Sequence, residues 1–207
     1  MKISASLHAA DPMNLRKEIA AVAAYVATLH VDVMDGQFAP AFGFGERLVE
    51  GLSRAVDLPI DVHLMVTNPE RWAGRFAALG ARRIAFHVEA SRDVGTIVRT
   101  IRDAGSLAYL ALLPDTPLES VSALLPAADG VLLLTAPPGG GHFDPSALVR
   151  LHDLPKEVPS IVDGAINLGH FGDLRSADVE LAVVGRSLFD GEDLPARARE
   201  FALAASG

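Results

Sequence analysis

The segment HVDVMDGQFAP, which begins at His30, places an imidazole and a carboxylate two residues apart in its first five residues, HVDVM, which are otherwise apolar. On a β-strand, residues two apart point to the same face, so His30, Asp32 and Met34 are expected to share one face. His63 lies in a second run of this kind, IDVHLMV, and Asp163 ends a third, SIVD. Two imidazoles and two carboxylates are a ligand set typical of a divalent transition metal.

Each of these four residues alone would be typical of a polar side chain satisfied separately by a hydrogen bond. Four ligand-type residues at inward strand positions favour a shared cation, because an uncompensated buried carboxylate is costly and a cation offsets that cost. The chain contains no cysteine, so disulfides and thiolate ligands are excluded. The pattern therefore predicts one divalent metal ion held by His30, Asp32, His63 and Asp163, with Zn²⁺, Fe²⁺, Mn²⁺ and Co²⁺ all left open.

A metal flanked by two carboxylates is suited to proton abstraction next to a carbonyl group. The cation polarises the carbonyl and stabilises the enediolate oxygen. One carboxylate removes a proton from one face of the carbon, and the other returns a proton to the opposite face. Such a transfer would invert the stereochemistry at that carbon.

The elements that must position these residues follow a regular alternation of short apolar runs and alanine-rich stretches. Eight strands are predicted, near residues 3–6, 29–34, 60–65, 83–88, 107–112, 131–134, 160–162 and 181–184. Helices are predicted near residues 11–27, 46–56, 93–104, 117–125, 168–175 and 194–205, with Asn68-Pro69-Glu70 and Asp144-Pro145 opening two more. Eight strand–helix units predict an α/β fold, a single (β/α)₈ TIM barrel spanning residues 1–207. The alternative, an open doubly wound sheet, would predict a glycine-rich first turn, and the first turn here reads SLHAAD.

Composition narrows the possible partners. The 207 residues carry a net charge of −8 without basic runs, which argues against a nucleic-acid partner. No stretch of about 18 apolar residues occurs, so no membrane partner is predicted. The opening residues, MKISASLHAAD, lack an apolar run long enough for a secretory signal, and we expect a cytoplasmic protein.

The runs HVDVMDGQFAP, DVHLMV, FHVEA, PDTPL, VDGAIN and VVGRSLF together resemble the ribulose-phosphate 3-epimerase family. The similarity extends along the whole chain, in order, from ISASLHAAD to VGRSLF. It implies a barrel of the ribulose-phosphate-binding type with one divalent metal, and the family's ligands map onto His30, Asp32, His63 and Asp163. It also implies that Asp32 and Asp163 are the two acid/base carboxylates, and that Met34 and Met65 form a collar beneath the metal, at the floor of the pocket.

This resemblance implies an isomerase that inverts C3 of a ketose phosphate, with D-ribulose 5-phosphate as the leading substrate and D-xylulose 5-phosphate as the product. It further implies a homo-oligomer, a dimer or a larger even-numbered assembly, acting in the pentose phosphate pathway of carbohydrate metabolism. The residues expected to bind the sugar phosphate are Ser6, Met34, Met65, Gly139, Gly141, Gly164, Ala165, Gly185 and Arg186. His87 and Glu89, in FHVEA, match a family segment and are assigned no chemical role.

The loops expected to bind phosphate depart from the family pattern. After strand six the chain reads APPGGGHF, about two residues shorter than the family's usual loop. Ala165 and Arg186 stand where the family usually has Gly and Ser. Ala165 can still donate its N–H to phosphate unless its φ must be positive, and Arg186 could add a charge-assisted contact. These departures leave open another ketose phosphate as substrate, such as a hexulose 6-phosphate.

Two other classes are alternatives. Lyases of the orotidine-monophosphate decarboxylase type and Schiff-base aldolases both need a lysine at the carboxyl end of a strand. Only Lys2, Lys17 and Lys156 are present, two before strands and one on a predicted helix, which argues against both lyases. A non-catalytic sugar-phosphate-binding relative is supported only by the altered phosphate loops, since all four metal-site residues are present.

Overall fold

Eight parallel strands close into a barrel in which each strand pairs with the next and β8 pairs with β1. The computed structural model describes residues 1–207. This closed barrel confirms the predicted (β/α)₈ class, and the predicted strands agree with the observed ones to within one residue at each end. The strands are β1 Lys2–Ser6, β2 Thr28–Met34, β3 Ile60–Met65, β4 Arg83–His87, β5 Leu107–Leu112, β6 Gly130–Leu134, β7 Ser160–Asp163 and β8 Leu181–Val184.

The α-helices lie between the strands and after β8. They are α1 Leu15–Val22, α2 Glu46–Ala55, α3 Pro69–Ala78, α4 Val94–Asp103, α5 Phe171–Ser176, α6 Arg186–Phe189 and α7 Leu194–Ser206. The predicted cap of α3 is confirmed, because the Asn68 side chain accepts a hydrogen bond from Arg71 N. None of the helices has both the length and the apolar character that crossing a membrane requires.

The predicted helices differ from the structure in four places, the smallest being the predicted helix near 168–175, whose first turn, Leu168–His170, is a 3₁₀ helix that leads into α5. The first helix begins at Leu15 instead of Asp11, because Asp11 forms a turn in which its carboxylate accepts hydrogen bonds from Met13 N and the Asn14 amide. This helix ends at Val22, before the predicted end near residue 27. After β5, two 3₁₀ turns, Leu118–Val121 and Leu125–Ala127, replace the predicted helix. Pro126 cannot donate a backbone hydrogen bond, which disfavours a continuous α-helix there.

The remaining difference follows β6. The segment Pro145–His152 forms a 3₁₀ helix whose Asp144 cap accepts a hydrogen bond from Ser146 N. Asp144-Pro145 therefore does open a helical segment, but of the tighter 3₁₀ type. The side of the barrel behind β5 and β6 consequently carries only short turns and this 3₁₀ segment.

The interior of the barrel is polar on one side and apolar on the other. The first four strands contribute buried polar side chains, which are Ser4, Ser6, Thr28, His30, Asp32, Asp61, His63, Arg83 and His87. The last four strands contribute an apolar cluster, which comprises Tyr109, Ala111, Leu132, Leu134, Ile161, Leu181 and Val183 and packs with Ala85 of β4. From this apolar half, Asp163 reaches the polar side at the carboxyl end of the strands and lies against His30 and His63.

An ion-paired group closes the amino-terminal end of the barrel. The Arg83 guanidinium contacts Asp61 at 3.0 Å and Glu180 at 3.3 Å, and it lies 4.8 Å from the centre of the Tyr109 ring. Asp61 is thus engaged by Arg83, one inward-facing position below His63 on β3. The fold therefore leaves Asp32 and Asp163 as the inward-facing carboxylates of the strands at the other end.

Candidate active site

The four side chains predicted to bind a metal converge at the carboxyl end of the barrel. Asp32 and His63 are direct neighbours in the β2–β3 register, and Asp163 ends β7. His30 Nε2 lies 3.3 Å from Asp32 Oδ1 and 3.6 Å from Asp163 Oδ2. His63 Nδ1 lies 3.5 Å and 3.3 Å from the same two oxygens. Each carboxylate therefore faces both imidazoles.

The donor atoms of this cluster fit a metal ion. Four of them, one from each residue, lie within 4.8 Å of one another. Metal bonds to nitrogen and oxygen ligands are about 2.0–2.2 Å long, which brings neighbouring ligand atoms to within roughly 4 Å of one another, and the four imidazole–carboxylate distances lie in that range. His30 Nε2 and His63 Nδ1 are completely buried, yet neither makes a hydrogen bond within the protein. A cation bound by both nitrogens would provide the missing partner.

In the absence of a cation, burial and mutual contacts set the pKa values of His30, His63 and Asp32. Burial would lower the pKa of His30, but the Asp32 carboxylate, assisted by Asp163, raises it to about 9. Burial also opposes the charged form of His63, whose pKa is nevertheless raised by the Asp163 and Asp32 carboxylates, 3.3 and 3.5 Å from its Nδ1 atom. For Asp32, the two imidazoles outweigh burial and hold the pKa well below its usual range. The cluster thus stabilises negative charge on Asp32.

The hydroxyl of Ser6 contacts Asp32. Ser6 Oγ donates a hydrogen bond of 2.9 Å to Asp32 Oδ2, the oxygen that does not face the histidines. The structure thus places Ser6, predicted as a substrate-binding residue, against one of the two carboxylates.

Met34 and Met65 are paired neighbours in the β2–β3 register and are both buried. They pack with Ala39 and with the partly buried Phe38 and Ala41. Each methionine lies one inward-facing position closer to the mouth than Asp32 or His63, so the pair forms a wall above the metal-binding residues. The predicted position beneath the metal differs from this placement, because strand direction carries later residues toward the mouth.

A cavity of about 860 Å³ opens above the cluster. All nine residues predicted to bind the sugar phosphate line it, together with Asp32 and Asp163. On the side opposite the methionines it is bordered by the loops after β6, β7 and β8. The backbone N–H groups of Gly139, Gly141, Gly164, Ala165 and Gly185 make no hydrogen bond within the protein. Unpaired amides of this kind can form an anion-binding surface, and the exposed Arg186 side chain adds a positive charge beside them.

The loop after β7 has an unusual backbone. Ala165 adopts a φ of 53°, in the left-handed region that favours glycine. A Cβ on its neighbour Gly164 would lie 2.5 Å from Ala136 N, so glycine is required at that position. This positive φ is the condition under which the sequence left donation by Ala165 open, but the N–H groups of Gly164 and Ala165 both remain without a partner in the protein, and both residues line the cavity.

Three residues to which the sequence assigned no role lie behind the site. His87 Nε2 is 3.0 Å from His63 Nε2, and His87 Nδ1 is 3.2 Å from Glu89 Oε2. Arg150 donates hydrogen bonds to the carbonyl oxygens of Leu113, Thr116 and Leu134. One sequence signal could have identified His87: it is the last inward-facing position of the strand next to His63.

Comparisons with known proteins assign the chain to a family. A model described as the ribulose-phosphate 3-epimerase family matches residues 2–189. The chain is 38% identical over 200 residues to the ribulose-phosphate 3-epimerase of Mycobacterium bovis, covering 92% of this chain and 87% of that protein. It is 33% identical over 202 residues to the enzyme of the same name from Escherichia coli strain K12, covering 92% and 90%.

Solved structures with low sequence identity share the fold. The crystal structure of KGPDC from Streptococcus mutans aligns with a TM-score of 0.79 at 15% identity, covering 99% of this chain and 97% of that chain. A 3-hexulose-6-phosphate synthase aligns with a TM-score of 0.77 at 19% identity, covering 99% of both chains. Barrels named for different activities thus have the same architecture, and the chemistry must be argued from the site.

Proposed function

The chain belongs to the ribulose-phosphate 3-epimerase family, and from that premise we propose that it interconverts D-ribulose 5-phosphate and D-xylulose 5-phosphate by inverting C3. Membership in this family makes the protein an isomerase, an epimerase of carbohydrate metabolism. The observation that supports the finer assignment is the position of Asp32 and Asp163. They come from β2 and β7, and each lies within 3.6 Å of the same two imidazoles.

In the proposed reaction, C3 of the substrate lies between the two carboxylates. Ionised Asp32 removes the C3 proton from one face, and protonated Asp163 delivers a proton to the opposite face of the same carbon. In the reverse direction the two residues exchange roles. The C3–H bond that breaks and the C3–H bond that forms involve different protons, so one hydrogen from solvent enters at each inversion.

His30, Asp32, His63 and Asp163 would hold one divalent metal ion. When bound, that ion supplies Lewis-acid stabilisation of the negative charge that develops on the substrate oxygens. Ser6 orients Asp32 through its hydrogen bond to Oδ2. Met34 and Met65 give the carbon chain of the sugar an apolar surface beside the reacting carbon, which limits access of water.

The phosphate group of the substrate is placed by this proposal at the far side of the cavity. The free amides of Gly139, Gly141, Gly164, Ala165 and Gly185 would donate to phosphate oxygens. The Arg186 guanidinium would add a charge-assisted hydrogen bond. We also propose that the 207 residues fold as one unit, and that the enzyme acts as a homo-oligomer in the cytoplasm.

Deuterium exchange at C3 tests the function directly. The purified protein is assayed for bound metal and then incubated with D-ribulose 5-phosphate in D₂O. We expect one deuterium at C3, together with D-xylulose 5-phosphate. Absence of exchange despite bound metal would refute D-ribulose 5-phosphate as the substrate. A panel of other ketose phosphates, such as a hexulose 6-phosphate, is then tested, and the compound that undergoes exchange would be assigned as the substrate instead.

A further inference from the structure

A chain of polar contacts runs from His63 away from the cavity. Its Nδ1 atom faces Asp32 and Asp163, and its Nε2 atom lies 3.0 Å from His87 Nε2. The other nitrogen of His87, Nδ1, lies 3.2 Å from Glu89 Oε2. Both imidazoles are completely buried, whereas the Glu89 side chain is 20% exposed.

Glu89 is fixed at the far end of this chain. Its second oxygen, Oε1, accepts hydrogen bonds from the backbone N–H of Leu113, at 2.8 Å, and from the hydroxyl of Thr116. The Phe38 ring packs on the His87 ring with centroids 4.6 Å apart, which leaves His87 no route to water on that face. The three ring nitrogens that lie outside the metal cluster, His63 Nε2 and both nitrogens of His87, therefore each have one available hydrogen-bond partner.

These contacts determine where the protons lie. A carboxylate only accepts hydrogen bonds, so His87 Nδ1 must carry the proton that faces Glu89. A neutral imidazole has one N–H, so His87 Nε2 is an acceptor, and His63 Nε2 must donate to it. That assignment leaves the lone pair of His63 on Nδ1, the atom that faces Asp32 and Asp163.

We propose that His87 and Glu89 are positioning residues that hold His63 in the tautomer whose Nδ1 can bind a divalent cation. The inference rests on the metal centre of the proposed function and assigns a role to two residues that do not touch the substrate cavity. Histidine ligands of metals commonly donate their other N–H to an acceptor that fixes the ring. Here that acceptor is a second histidine, whose own tautomer is set by a carboxylate.

Glu89→Gln is the discriminating variant. Its amide oxygen would replace Oε1 as acceptor for Leu113 N and Thr116, which turns the amide NH₂ toward His87 Nδ1. His87 would then carry its proton on Nε2, and His63 would have to carry its proton on Nδ1, where the metal should bind. The matched control is Thr116→Val, which removes one hydrogen bond to Glu89 but keeps the carboxylate facing His87.

The tautomer is measured by long-range ¹H–¹⁵N NMR of the histidine rings. In the wild type we expect His87 to be protonated on Nδ1 and bare on Nε2, and in Glu89→Gln the reverse. A wild-type His87 protonated on Nε2 would overturn the proposal. Because this spectrum needs no variant, the proposal remains testable even if Glu89→Gln does not fold.

Metal affinity is measured by competition for Zn²⁺ with a chelator. We expect Glu89→Gln to bind Zn²⁺ about 10–100-fold more weakly, as for other partners of metal-binding histidines, and Thr116→Val to stay within about threefold of the wild type. A Glu89→Gln variant with unchanged Zn²⁺ affinity and an unchanged His87 spectrum would contradict the proposal. It would leave the proposed function intact.

The two proposals fail in distinguishable ways. A wild type that binds Zn²⁺ but catalyses no exchange with any ketose phosphate would refute the proposed function, while the affinity comparison would still decide the role of Glu89. A wild type that binds no Zn²⁺ would overturn the metal centre and this inference together.

Discussion

Ser6 Oγ donates a 2.9 Å hydrogen bond to Asp32 Oδ2, while Asp32 Oδ1 faces His30 and His63. The two oxygens of one carboxylate are thereby given different partners. The hydroxyl comes from the end of β1 and the carboxylate from β2, strands that pair directly in the barrel. The pairing of β1 with β2 brings the two side chains together, and their hydrogen bond orients the carboxylate without any ligand.

Ser6→Ala should slow catalysis by about 10- to 100-fold, because a hydrogen bond to a charged group contributes about 1.5–3 kcal/mol. The effect is expected mainly in kcat, since the phosphate-binding amides are untouched. Steady-state kinetics with D-ribulose 5-phosphate measures it. Ser4→Ala is the matched control, because Ser4 is an inward-facing serine of the same strand that bonds to Thr28 instead. Equal losses in the two variants would argue against a specific role for the Ser6 contact.

Asp32→Asn and Asp163→Asn should each reduce epimerisation by about 10²–10⁴-fold, the usual contribution of a general acid or base. Asparagine keeps an oxygen that can bind a metal, so Zn²⁺ content should separate loss of proton transfer from loss of metal. If each carboxylate serves one face of C3, each variant should retain deuterium exchange with only one of the two epimers. The epimer that still exchanges in Asp32→Asn should be the one that no longer exchanges in Asp163→Asn. Epimerisation at the wild-type rate in either variant would refute the two-carboxylate mechanism.

Ala165→Gly should stabilise the protein. The left-handed backbone at Ala165 costs an alanine about 1–2 kcal/mol, partly offset because glycine gains more freedom in the unfolded chain. A net gain of up to about 1 kcal/mol would raise Tm by about 2–4 °C for a chain of this size. Thermal unfolding measures the change. Gly164→Ala should have the opposite effect, because its Cβ would lie against Ala136 N. A lower Tm for Ala165→Gly would show that the positive φ does not destabilise the alanine at this position.

Glu89 should make stability depend on acid pH. Burial alone would raise the pKa of Glu89, but hydrogen bonds from His87, Thr116 and Leu113 N lower it to about 2, from an ordinary 4.5. The unfolded chain then binds a proton that the native protein does not, so stabilisation present above pH 4.5 is lost as pH falls toward 2. Because the Glu89 side chain is partly exposed, solvent screens its charge, and we expect its contribution to the free energy of unfolding to be about 1 kcal/mol.

Urea unfolding from about pH 6 to about pH 2 tests this pH dependence, with Glu89→Gln as the comparison. The stability difference between wild type and variant should shrink on acidification across that window. A difference that stays constant with pH would show that the native carboxylate titrates normally.

The strands could be predicted from the sequence because each combines apolar residues with a clear end. Eight such runs were sufficient to predict the barrel. The alternation also placed His30, Asp32 and His63 inward, and their convergence with Asp163 follows from the barrel geometry. The elements after β5 and β6 were not predictable in this way, because 3₁₀ and α-helical segments share similar residue patterns and differ in local hydrogen bonding.

The contacts behind the site were also missed, for a different reason. The role of His87 depends on which nitrogen faces His63, and no spacing in the sequence encodes that. The sequence assigns Glu89 no role, and its partners, Leu113 and Thr116, are more than 20 residues away along the chain. Such contacts arise only when neighbouring strand ends are brought together.

Arg150 should be a major source of stability on the side of the barrel that lacks α-helices. Its guanidinium donates to the carbonyl oxygens of Leu113, Thr116 and Leu134 at 2.8, 2.9 and 3.0 Å, joining the ends of β5 and β6. Arg150→Met keeps most of the apolar stem but removes all three of these hydrogen bonds, so that Leu113 O retains only its bond from Thr116 N, and we expect a loss of about 2–3 kcal/mol. Arg150→Lys should recover part of it, since an ammonium group cannot reach three carbonyls with the geometry of a planar fork. Chemical denaturation measures the free energy of unfolding of both variants. Arg16 is exposed, so Arg16→Met serves as the control and should unfold within about 0.5 kcal/mol of the wild type. An Arg150→Met variant as stable as Arg16→Met would show that the three hydrogen bonds do not hold these strand ends together.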